Sequence, residues 1–421
     1  MLPYAHPASP SNISALMSGV MLKVAVYGLV RAVLDIFTLD FAIGAVILLF
    51  GTASAILGII YAYKETDIKC LLANHSIENI GIIFSGIGLA VIFTDLGMPA
   101  LSTLSLLAAL FHSFNHALFK SLLFMTAGSV VAATRTRNVE EMGGLVHRMP
   151  LTAGLFCTGA VAIAAFPPLN GFVSELMLFE SFFFGLQAVD PLTKVLLIST
   201  LSLLSLTGAL TAACFVKVFG IAFLAHPPRS ASAADAEEQC RPMLLGPPAI
   251  LAGLCVVAGV GSFQIFRALG YDLPLPDMLV VGTLMAATLV VVFLAAARTA
   301  PPRPGSRRPG GCGILSQNSR MEYTETGYAE PVVTIFSSIY RKEKKIEKTW
   351  LDPPDRTIVA GARIEMSLIR FFEEYLYLPV ARGALAVSSL VRRFHAGTLD
   401  TYMLYTFVII VILVLGLGWF I

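Results

Sequence analysis

Long runs without any charged residue limit the fold of this chain more than any other feature of its sequence. Three of them are "FAIGAVILLFGTASAILGIIYAY" (41–63), "MLVVGTLMAATLVVVFLAAA" (278–297) and "YMLYTFVIIVILVLGLGWFI" (402–421). Each reaches the length of about 20 residues that a helix needs to cross a bilayer. Only 13% of all residues are charged, against about 25% in a typical soluble domain. We therefore predict an all-α, polytopic transmembrane helix bundle.

The apolar runs predict about nine spans, and one of them is interrupted in the middle. "FPPLNGF" (166–172) breaks the fifth span, because two prolines followed by Asn170 and Gly171 cannot continue a regular helix. Such breaks occur where transporters bind ions, and also as kinks that only pack helices, so both interpretations stay open. The predicted spans are 14–34, 41–63, 68–94, 100–133, 151–187, 194–224, 246–266, 278–297 and 402–421.

Loop charges predict the orientation of these spans. When the broken span is counted as one crossing, most basic loop residues fall on one side of the membrane. Basic residues concentrate on the cytoplasmic side of membrane proteins. We therefore expect the start of the chain and the segment 298–401 on that side. The basic loop residues that share it are Lys64, Lys69, Arg135, Arg137, Arg148, Arg229 and Arg241.

Composition divides the chain into three predicted parts. Residues 1–297 form a transmembrane domain of about eight helices, 298–401 a linker with an amphipathic helix, and 402–421 a membrane anchor. The amphipathic helix is predicted at 362–381, where apolar residues recur at helical spacing and Glu365 interrupts the pattern. It would lie along the membrane surface or a partner. A small soluble subdomain is the alternative.

Several function classes are excluded by composition. The formal net charge of +2 and the absence of a basic arm give no indication of nucleic-acid binding. Six cysteines are scattered without a C-x-x-C pair, which argues against an iron–sulfur or zinc site. No cofactor fingerprint or substrate motif is recognisable. We expect no metal, no cofactor and no direct catalysis in this chain.

Two charged residues are predicted inside the membrane. Lys23 lies in the middle of the first span, from which its side chain reaches neither surface. Glu175 follows the break in the fifth span, close to freed backbone groups. A charge at this depth costs at least about 2.5–3.5 kcal/mol. We therefore expect each of these residues to have either a function or a structural partner.

The stretch "FHSFNHALFKSLLF" (111–124) places three more ionisable groups in an apolar span. His112, His116 and Lys120 follow one another at four-residue spacing, so a helix aligns them in one stripe. Histidine titrates near neutral pH and both donates and accepts hydrogen bonds, which makes a proton relay the best interpretation. A metal site is a poor one, because a third ligand is lacking.

His75 and Glu78 form a further pair in "LLANHSIENIG" at a spacing of three residues. In a helix these side chains share one face. They are a candidate point of proton uptake from the cytoplasmic side, or they pair only with each other near the headgroups. The sequence does not separate these two alternatives.

These segments resemble a known family. "LPYAHPASPSNISALMSGVMLKVAVYGLVR", "HSFNHALFKSLLFMTAGSV" and "PPLNGFVSE" are similar to the antiporter-like subunits of respiratory complex I, Mrp antiporters and membrane-bound NiFe-hydrogenases. "HSIENIG" is most similar to the hydrogenase-4 and formate hydrogenlyase branch. The resemblance implies that Lys23 is the central proton carrier. It also implies that His112, His116 and Lys120 are a relay and that Glu175 is the acidic end of the axis.

The resemblance also implies partners, a location and a missing part. Other membrane and peripheral subunits of a redox complex would do the chemistry, in the inner membrane of a prokaryote, and the transported ion would be H⁺, with Na⁺ as the alternative. Relatives carry further helices before the motif that begins at Leu2, so we expect this chain to be the C-terminal part of such a subunit. An Mrp-type or complex I-type antiporter subunit and a truncated structural anchor remain the alternatives.

Overall fold

Helices account for most of the described structure. A computed structural model describes residues 2–36, 40–225, 233, 235–238, 241–271, 273, 275–299, 324–340, 342–350, 359–368, 375, 377–394 and 399–417. The chain divides into two compact units, Met1–Pro331 and Val332–Ile421, and each is described by itself. The helices of the first unit are α1 Leu2–Ala8, α2 Ser11–Ile36, α3 Phe41–Lys64, α4 Ile68–Asp95, α5 Pro99–Thr134, α6 Leu145–Arg148, α7 Pro150–Ile163, α8 Asn170–Ala188, α9 Pro191–Leu224, α10 Pro242–Val260, α11 Ser262–Ala268, α12 Met278–Thr299 and α13 Glu325–Ile335, which runs on past Pro331.

Six of the nine predicted membrane spans are confirmed at full length. Within the described residues, 6 helices are long and apolar enough to cross a membrane, namely α2, α3, α4, α5, α9 and α10. Helices α7 and α12 are shorter apolar elements, and α7 and α8 together cover the predicted broken span. The chain is therefore an integral, multi-pass membrane protein with an all-α bundle.

Acidic residues fix the beginnings of several helices. Asp67 accepts hydrogen bonds from the backbone nitrogens of Lys69 (2.8 Å) and Cys70 (3.2 Å) at the start of α4. Asp190 does the same for α9, and Asp40 for α3. A carboxylate there satisfies backbone donors that have no partner within the helix and complements the helix dipole. These caps lie in the loops between the apolar runs.

The break between α7 and α8 is stabilised by a pair of asparagines. Ala165 adopts a left-handed conformation with φ of 52°, and the two prolines follow before α8 begins. Asn115 of α5 donates from Nδ2 to the Asn170 carbonyl oxygen at 2.8 Å, and Asn170 donates from Nδ2 to Asn115 Oδ1 at 3.1 Å. Polar backbone freed by the break thus finds a partner inside the bundle, as membrane depth requires.

Glycines bring α3 and α4 into unusually close contact. A Cβ placed on Gly51 would lie 2.7 Å from the Gly81 carbonyl oxygen, and one placed on Gly81 would lie 2.5 Å from the Ala55 backbone nitrogen. Gly58 approaches the backbone of Glu78 in the same way, at 2.6 Å. Small residues in membrane helices permit such approach. Gly44, Gly51 and Gly58 follow one another at a spacing of seven residues, so the two helices stay in close contact along their length. This contact places Glu78 beside α3.

Replacing Gly81 by Leu should destabilise the bundle, because neither neighbouring backbone atom is able to move away. We expect a loss of at least about 1–3 kcal/mol, the range for overpacked interiors. The measurement is the fraction of detergent-solubilised protein that remains monodisperse after heating. Gly253→Leu on α10 is the matched control, since a Cβ there meets nothing within 4 Å. Equal heat resistance of the two variants would contradict the close packing.

The second unit corrects one prediction. Residues 342–350 and 359–368 form two antiparallel strands, β1 Lys342–Trp350 and β2 Val359–Leu368, with Ile346 opposite Ile364. The amphipathic helix predicted at 362–381 is therefore wrong for 362–368, while residues 369–374 and 376 lie outside the described residues. The four-residue spacing of Ile364 and Leu368 fits alternation in a strand as well as a helix.

An amphipathic helix does precede the last apolar helix, later in the chain than predicted. It is α15 Leu378–Phe394, after the short α14 Ser337–Tyr340, and it leads to α16 Leu399–Leu417. Apolar residues such as Leu385 and Val387 are exposed on α15, and Arg392 and Arg393 lie near its end. The division of function between the parts 1–297, 298–401 and 402–421 stays a prediction.

Candidate functional site

Lys23 contacts the predicted histidine stripe directly. Helix α2 widens into a π turn over Met17–Met21, just before Lys23. Lys23 Nζ donates to the Ser18 carbonyl oxygen at 2.7 Å and lies 2.5 Å from His116 Nδ1 on α5. Turns of this kind recur at functional sites. They interrupt the regular backbone hydrogen bonds of the helix and leave a carbonyl oxygen available to a side chain. The central lysine and the middle histidine of the stripe thus form one contact.

His116 has one ring nitrogen without a partner. The ring is completely buried and packs edge-on against Phe119 at 5.5 Å between centroids. A Lys23 ammonium donates to Nδ1, so the neutral ring carries its hydrogen on Nε2. Nε2 has no hydrogen-bond acceptor among the described residues. A buried donor without a partner costs about 1–3 kcal/mol.

His112 connects two other helices to the stripe. Its Nε2 lies 3.2 Å from Asn79 Oδ1 on α4, and its Nδ1 lies 2.9 Å from Ser174 Oγ on α8. Because Asn79 Nδ2 donates to the His75 carbonyl oxygen, Asn79 Oδ1 is the acceptor in this contact. His112 therefore donates from Nε2 and accepts at Nδ1 from Ser174. The neutral imidazole is fully bonded on both nitrogens.

Lys120 ends the stripe at a backbone carbonyl. Its side chain is completely buried, and Nζ donates to the Leu72 carbonyl oxygen on α4 at 2.6 Å. The three stripe residues share a face of α5, and each contacts a neighbouring helix. His116 contacts α2, His112 contacts α4 and α8, and Lys120 contacts α4. The stripe is therefore the line along which these helices meet.

His75 lies near this line together with its predicted partner. His75 Nδ1 is 2.5 Å from Glu78 Oε2, and His75 and Glu78 are both buried. Glu78 also accepts a hydrogen bond from the Thr211 hydroxyl on α9, while His75 Nε2 lies 3.4 Å from Cys214 Sγ on the same helix. The two residues do pair, within the bundle and not on its exposed surface. A role in proton uptake stays a prediction.

Glu175 takes no part in these contacts. Its side chain is half-buried, and a Cβ at Gly208 of α9 would lie 3.8 Å from its Oε2. Ser174, the preceding residue, contacts His112, so Glu175 lies beside the stripe on the α9 side. None of the ion pairs found in the described residues includes Glu175. Its role as the acidic end of an axis stays a prediction.

The sequence did not predict the contribution of α9. Thr207, Thr211, Cys214 and Lys217 recur at spacings of three and four residues in an apolar helix, which is the signal that could have revealed a polar face. Thr211 and Cys214 contact the His75–Glu78 pair. Lys217 forms a buried ion pair with Glu325 at 2.7 Å, for which the sequence gives no indication.

His6 is a further buried imidazole, and its position in the sequence did not predict its burial. It belongs to α1, outside the membrane spans, and stacks on Phe124 of α5 at 4.7 Å. Burial, together with the charges of Lys120 and Lys69, lowers its pKa to about 4, so the ring is neutral at physiological pH. Neither ring nitrogen has a hydrogen-bond partner among the described residues.

The chemistry available to these groups is proton exchange. In the described part of the chain, no group of three or more His, Cys, Asp or Glu side chains is placed to hold a metal ion. The imidazoles of the site and the Glu78 carboxylate are buried, Lys23 is half-buried, and these groups contact one another or hydroxyl and amide groups. Such a line of groups can pass a proton by small changes of side-chain orientation.

Known proteins identify the family of this chain. The family described as "NADH:quinone oxidoreductase/Mrp antiporter, TM" matches residues 2–205, which include Lys23, the stripe and Glu175. This chain belongs to that family. Hydrogenase-4 component B of Escherichia coli (strain K12) is 33% identical over 454 residues, which cover 99% of this chain and 66% of that protein. Formate hydrogenlyase subunit 3 of the same organism is 34% identical over 389 residues, 88% of this chain and 61% of the relative.

A solved structure shares the fold of this chain. The membrane-bound sulfane sulfur reductase, described as an archaeal respiratory membrane complex, contains a chain that superposes with a TM-score of 0.70 at 21% identity. The superposition covers 98% of this chain and 64% of that one. This chain spans about two thirds of the length of the curated relatives it matches.

Proposed function

We propose that this chain is a proton-translocating subunit of a membrane-bound hydrogenase or formate hydrogenlyase-type complex, and that it couples redox chemistry in partner subunits to proton movement. Lys23 is the central carrier, His116, His112 and Lys120 are the relay, and Glu175 is the acidic end of the pathway. His75 and Glu78 form the group at which protons are taken up. The ion is H⁺, and no reaction is catalysed by this chain itself.

The contact between Lys23 and His116 carries this proposal. A half-buried amine and a buried imidazole 2.5 Å apart cannot both remain protonated, because two positive charges this close and poorly hydrated repel each other. One proton shared between them is the arrangement that a relay needs. A structural role would be served by a carboxylate partner, and the described structure places none in contact with Lys23.

The relatives support the choice of complex. The names hydrogenase-4 component B and formate hydrogenlyase subunit 3 both describe parts of multisubunit assemblies. The respiratory complex with the same fold is likewise a membrane assembly. We place this chain in the inner membrane of a prokaryote, with its start and the segment 298–401 on the cytoplasmic side, because basic loop residues concentrate there.

The test neutralises the proposed carriers in the assembled complex. A triple variant, Lys23→Met with His116→Phe and Glu175→Gln, is compared with wild type in membrane vesicles that contain all partner subunits. We expect proton translocation per redox turnover to fall to background, while the complex still assembles. The measurement combines a pH-sensitive dye inside the vesicles with an assay of the redox reaction.

Other outcomes would favour the other functions. Unchanged translocation in the triple variant would show that these groups are structural and that the chain is a membrane anchor. Acidification driven by a Na⁺ gradient, in vesicles without any electron donor, would favour an Mrp-type antiporter subunit instead. Either result would overturn the proposal.

A further inference from the structure

A segment after the eighth apolar helix folds back onto the bundle and inserts a carboxylate into it. Residues 324–331 belong to the first unit, and Glu325 is completely buried. The segment is anchored on both sides of Glu325. Thr326 donates from its backbone nitrogen (2.9 Å) and its hydroxyl (2.7 Å) to Glu140 Oε1, and the Tyr328 ring stacks on Tyr63 at 6.3 Å.

Glu325 pairs with the lysine that ends the polar face of α9. Lys217 Nζ lies 2.7 Å from Glu325 Oε1, donates to the Tyr63 carbonyl oxygen at 2.5 Å and lies 5.4 Å from the centre of the Tyr63 ring. Both side chains of the ion pair have an exposed fraction of 0%. A buried pair of this kind recovers its desolvation cost only when the remaining polar atoms are also satisfied.

That condition is not met at Glu325. Neither of its buried oxygens accepts a hydrogen bond from the described residues, so Oε1 contacts Lys217 as an ion pair and Oε2 has no donor. Burial and the charges of Glu140 and Glu65 raise the pKa of Glu325, the Lys217 ammonium lowers it, and the result is a pKa of about 7. The carboxylate thus has an open position for a proton and changes its protonation close to neutral pH.

The ion pair lies between an aqueous face and the buried His75–Glu78 pair. On the outer side is the loop that joins α5 to α6, tied to the α3–α4 loop by the Asp67–Arg137 ion pair. On the inner side, Cys214 is one helical turn before Lys217, and its Sγ lies 3.4 Å from His75 Nε2. The polar side chains therefore continue from Glu140 through Glu325, Lys217 and Cys214 to His75.

We propose that Glu325 is the proton-loading group of this subunit, which exchanges protons between the aqueous face beside Glu140 and the buried His75–Glu78 pair. This inference rests on the proposed function. A hydronium ion gives its proton to Oε2 and leaves as water, and the neutral carboxyl releases Lys217. The released Lys217 ammonium gives a proton toward Cys214 and His75 and takes the proton of Glu325 in return, which restores the Lys217–Glu325 pair. The segment 324–331 is in this way part of the pathway and not a linker.

The matched substitution is Glu325→Gln, which keeps the size of the side chain and a polar oxygen beside Lys217 but cannot titrate. In inside-out vesicles with all partner subunits, we expect proton uptake per redox turnover to fall about 100-fold, the lower part of the range for a positioned proton donor. Glu325→Asp should retain most of the uptake. Glu330→Gln, on the same helix, is the control and should behave as wild type.

A second variant keeps the test decisive where glutamine prevents assembly. Lys217→Arg preserves the ion pair, and its planar fork holds a carboxylate more firmly than an ammonium does. We expect uptake to slow about tenfold, because protonation of Glu325 must then break a stronger pair. A purely structural pair would tolerate arginine without loss.

The outcomes separate this inference from the proposed function. Wild-type vesicles that take up no protons would overturn both. Wild-type uptake that persists unchanged in Glu325→Gln, or unchanged in Lys217→Arg, would overturn the role of Glu325 and leave the proposed function standing. Loss in Glu325→Gln with retention in Glu325→Asp and Glu330→Gln would establish the loading group.

Discussion

Replacing Lys23 by Met should reduce proton translocation to background, a loss of about 100-fold or more, while electron transfer in the partner subunits continues. Lys23 is the group that donates to His116 Nδ1, and its amine is also held by the Ser18 carbonyl oxygen. Without it, the buried His116 ring has no hydrogen-bond partner on either nitrogen among the described residues. The measurement is vesicle acidification per redox turnover in the assembled complex.

Lys23→Arg separates charge from titration. Arginine restores the positive charge and a hydrogen-bond donor, but it stays protonated at any physiological pH. A lysine that only balances charge or fills space would be replaced by arginine with little loss. A lysine that gives up its proton in each cycle could not be replaced by arginine without loss of translocation. We therefore expect Lys23→Arg to be as inactive as Lys23→Met.

Arg31→Met is the matched control for both variants. Arg31 lies about two turns further along α2, but its side chain is exposed and pairs with Asp35 at 2.6 Å. Loss of such a surface pair costs roughly 0–1 kcal/mol, so translocation should stay at the wild-type level. Normal pumping by Lys23→Arg, or an equal loss in Arg31→Met, would contradict the role of Lys23.

The sequence predicts those parts of this architecture that are determined by short, local stretches of residues. Apolar length predicts the spans, because a fixed bilayer thickness selects about 20 residues. Two adjacent prolines predict the break at 166–172, because proline cannot donate to the helix ladder. Both features are local and need no knowledge of the partner helices.

The contacts between helices that are distant in the sequence could not be predicted from the sequence. The stripe on α5 is readable from its spacing, but which neighbour each member contacts depends on packing. The close approach of α3 and α4, fixed by glycines such as Gly51 and Gly81, is one determinant. Neither the contact between Lys23 and His116 nor the Lys217–Glu325 pair follows from local periodicity.

The failed part of the helix prediction, residues 362–368, has a related cause. Residues 362–368 alternate between apolar and polar types, and a spacing of four residues belongs to both a helix and a strand. Pairing with residues 342–348 decides in favour of the strand, because each register position gains a partner across the hairpin. Glu365, which interrupts the helical pattern, fits the alternation.

Replacing Glu78 alone by Leu should both abolish translocation and strongly destabilise the bundle. The carboxylate accepts from the Thr211 hydroxyl and contacts His75 Nδ1, and all three side chains are buried. Removal of one member of a buried pair costs about 3–5 kcal/mol, since the remaining polar groups keep their desolvation penalty without a partner. The measurement is the fraction of complex that survives heating in detergent, alongside vesicle acidification.

The two effects separate in the companion variants. Glu78→Gln keeps an acceptor for Thr211 and the volume of the side chain, so heat resistance should return in large part while translocation stays at background. The double variant His75→Leu with Glu78→Leu removes both members of the pair. Apolar replacement of a whole buried pair is often neutral or stabilising, so it should be more stable than Glu78→Leu alone and equally inactive.

This combination distinguishes a carrier from a structural pair. If His75 and Glu78 served only to hold α4 against α9, any variant that restores stability would restore translocation as well. If Glu78 exchanges protons, stability and translocation are independent, and only a titratable side chain at this position supports transport. Recovery of acidification by Glu78→Gln would therefore exclude Glu78 from the pathway, whereas stable and inactive Glu78→Gln and double variants would place the proton on this carboxylate.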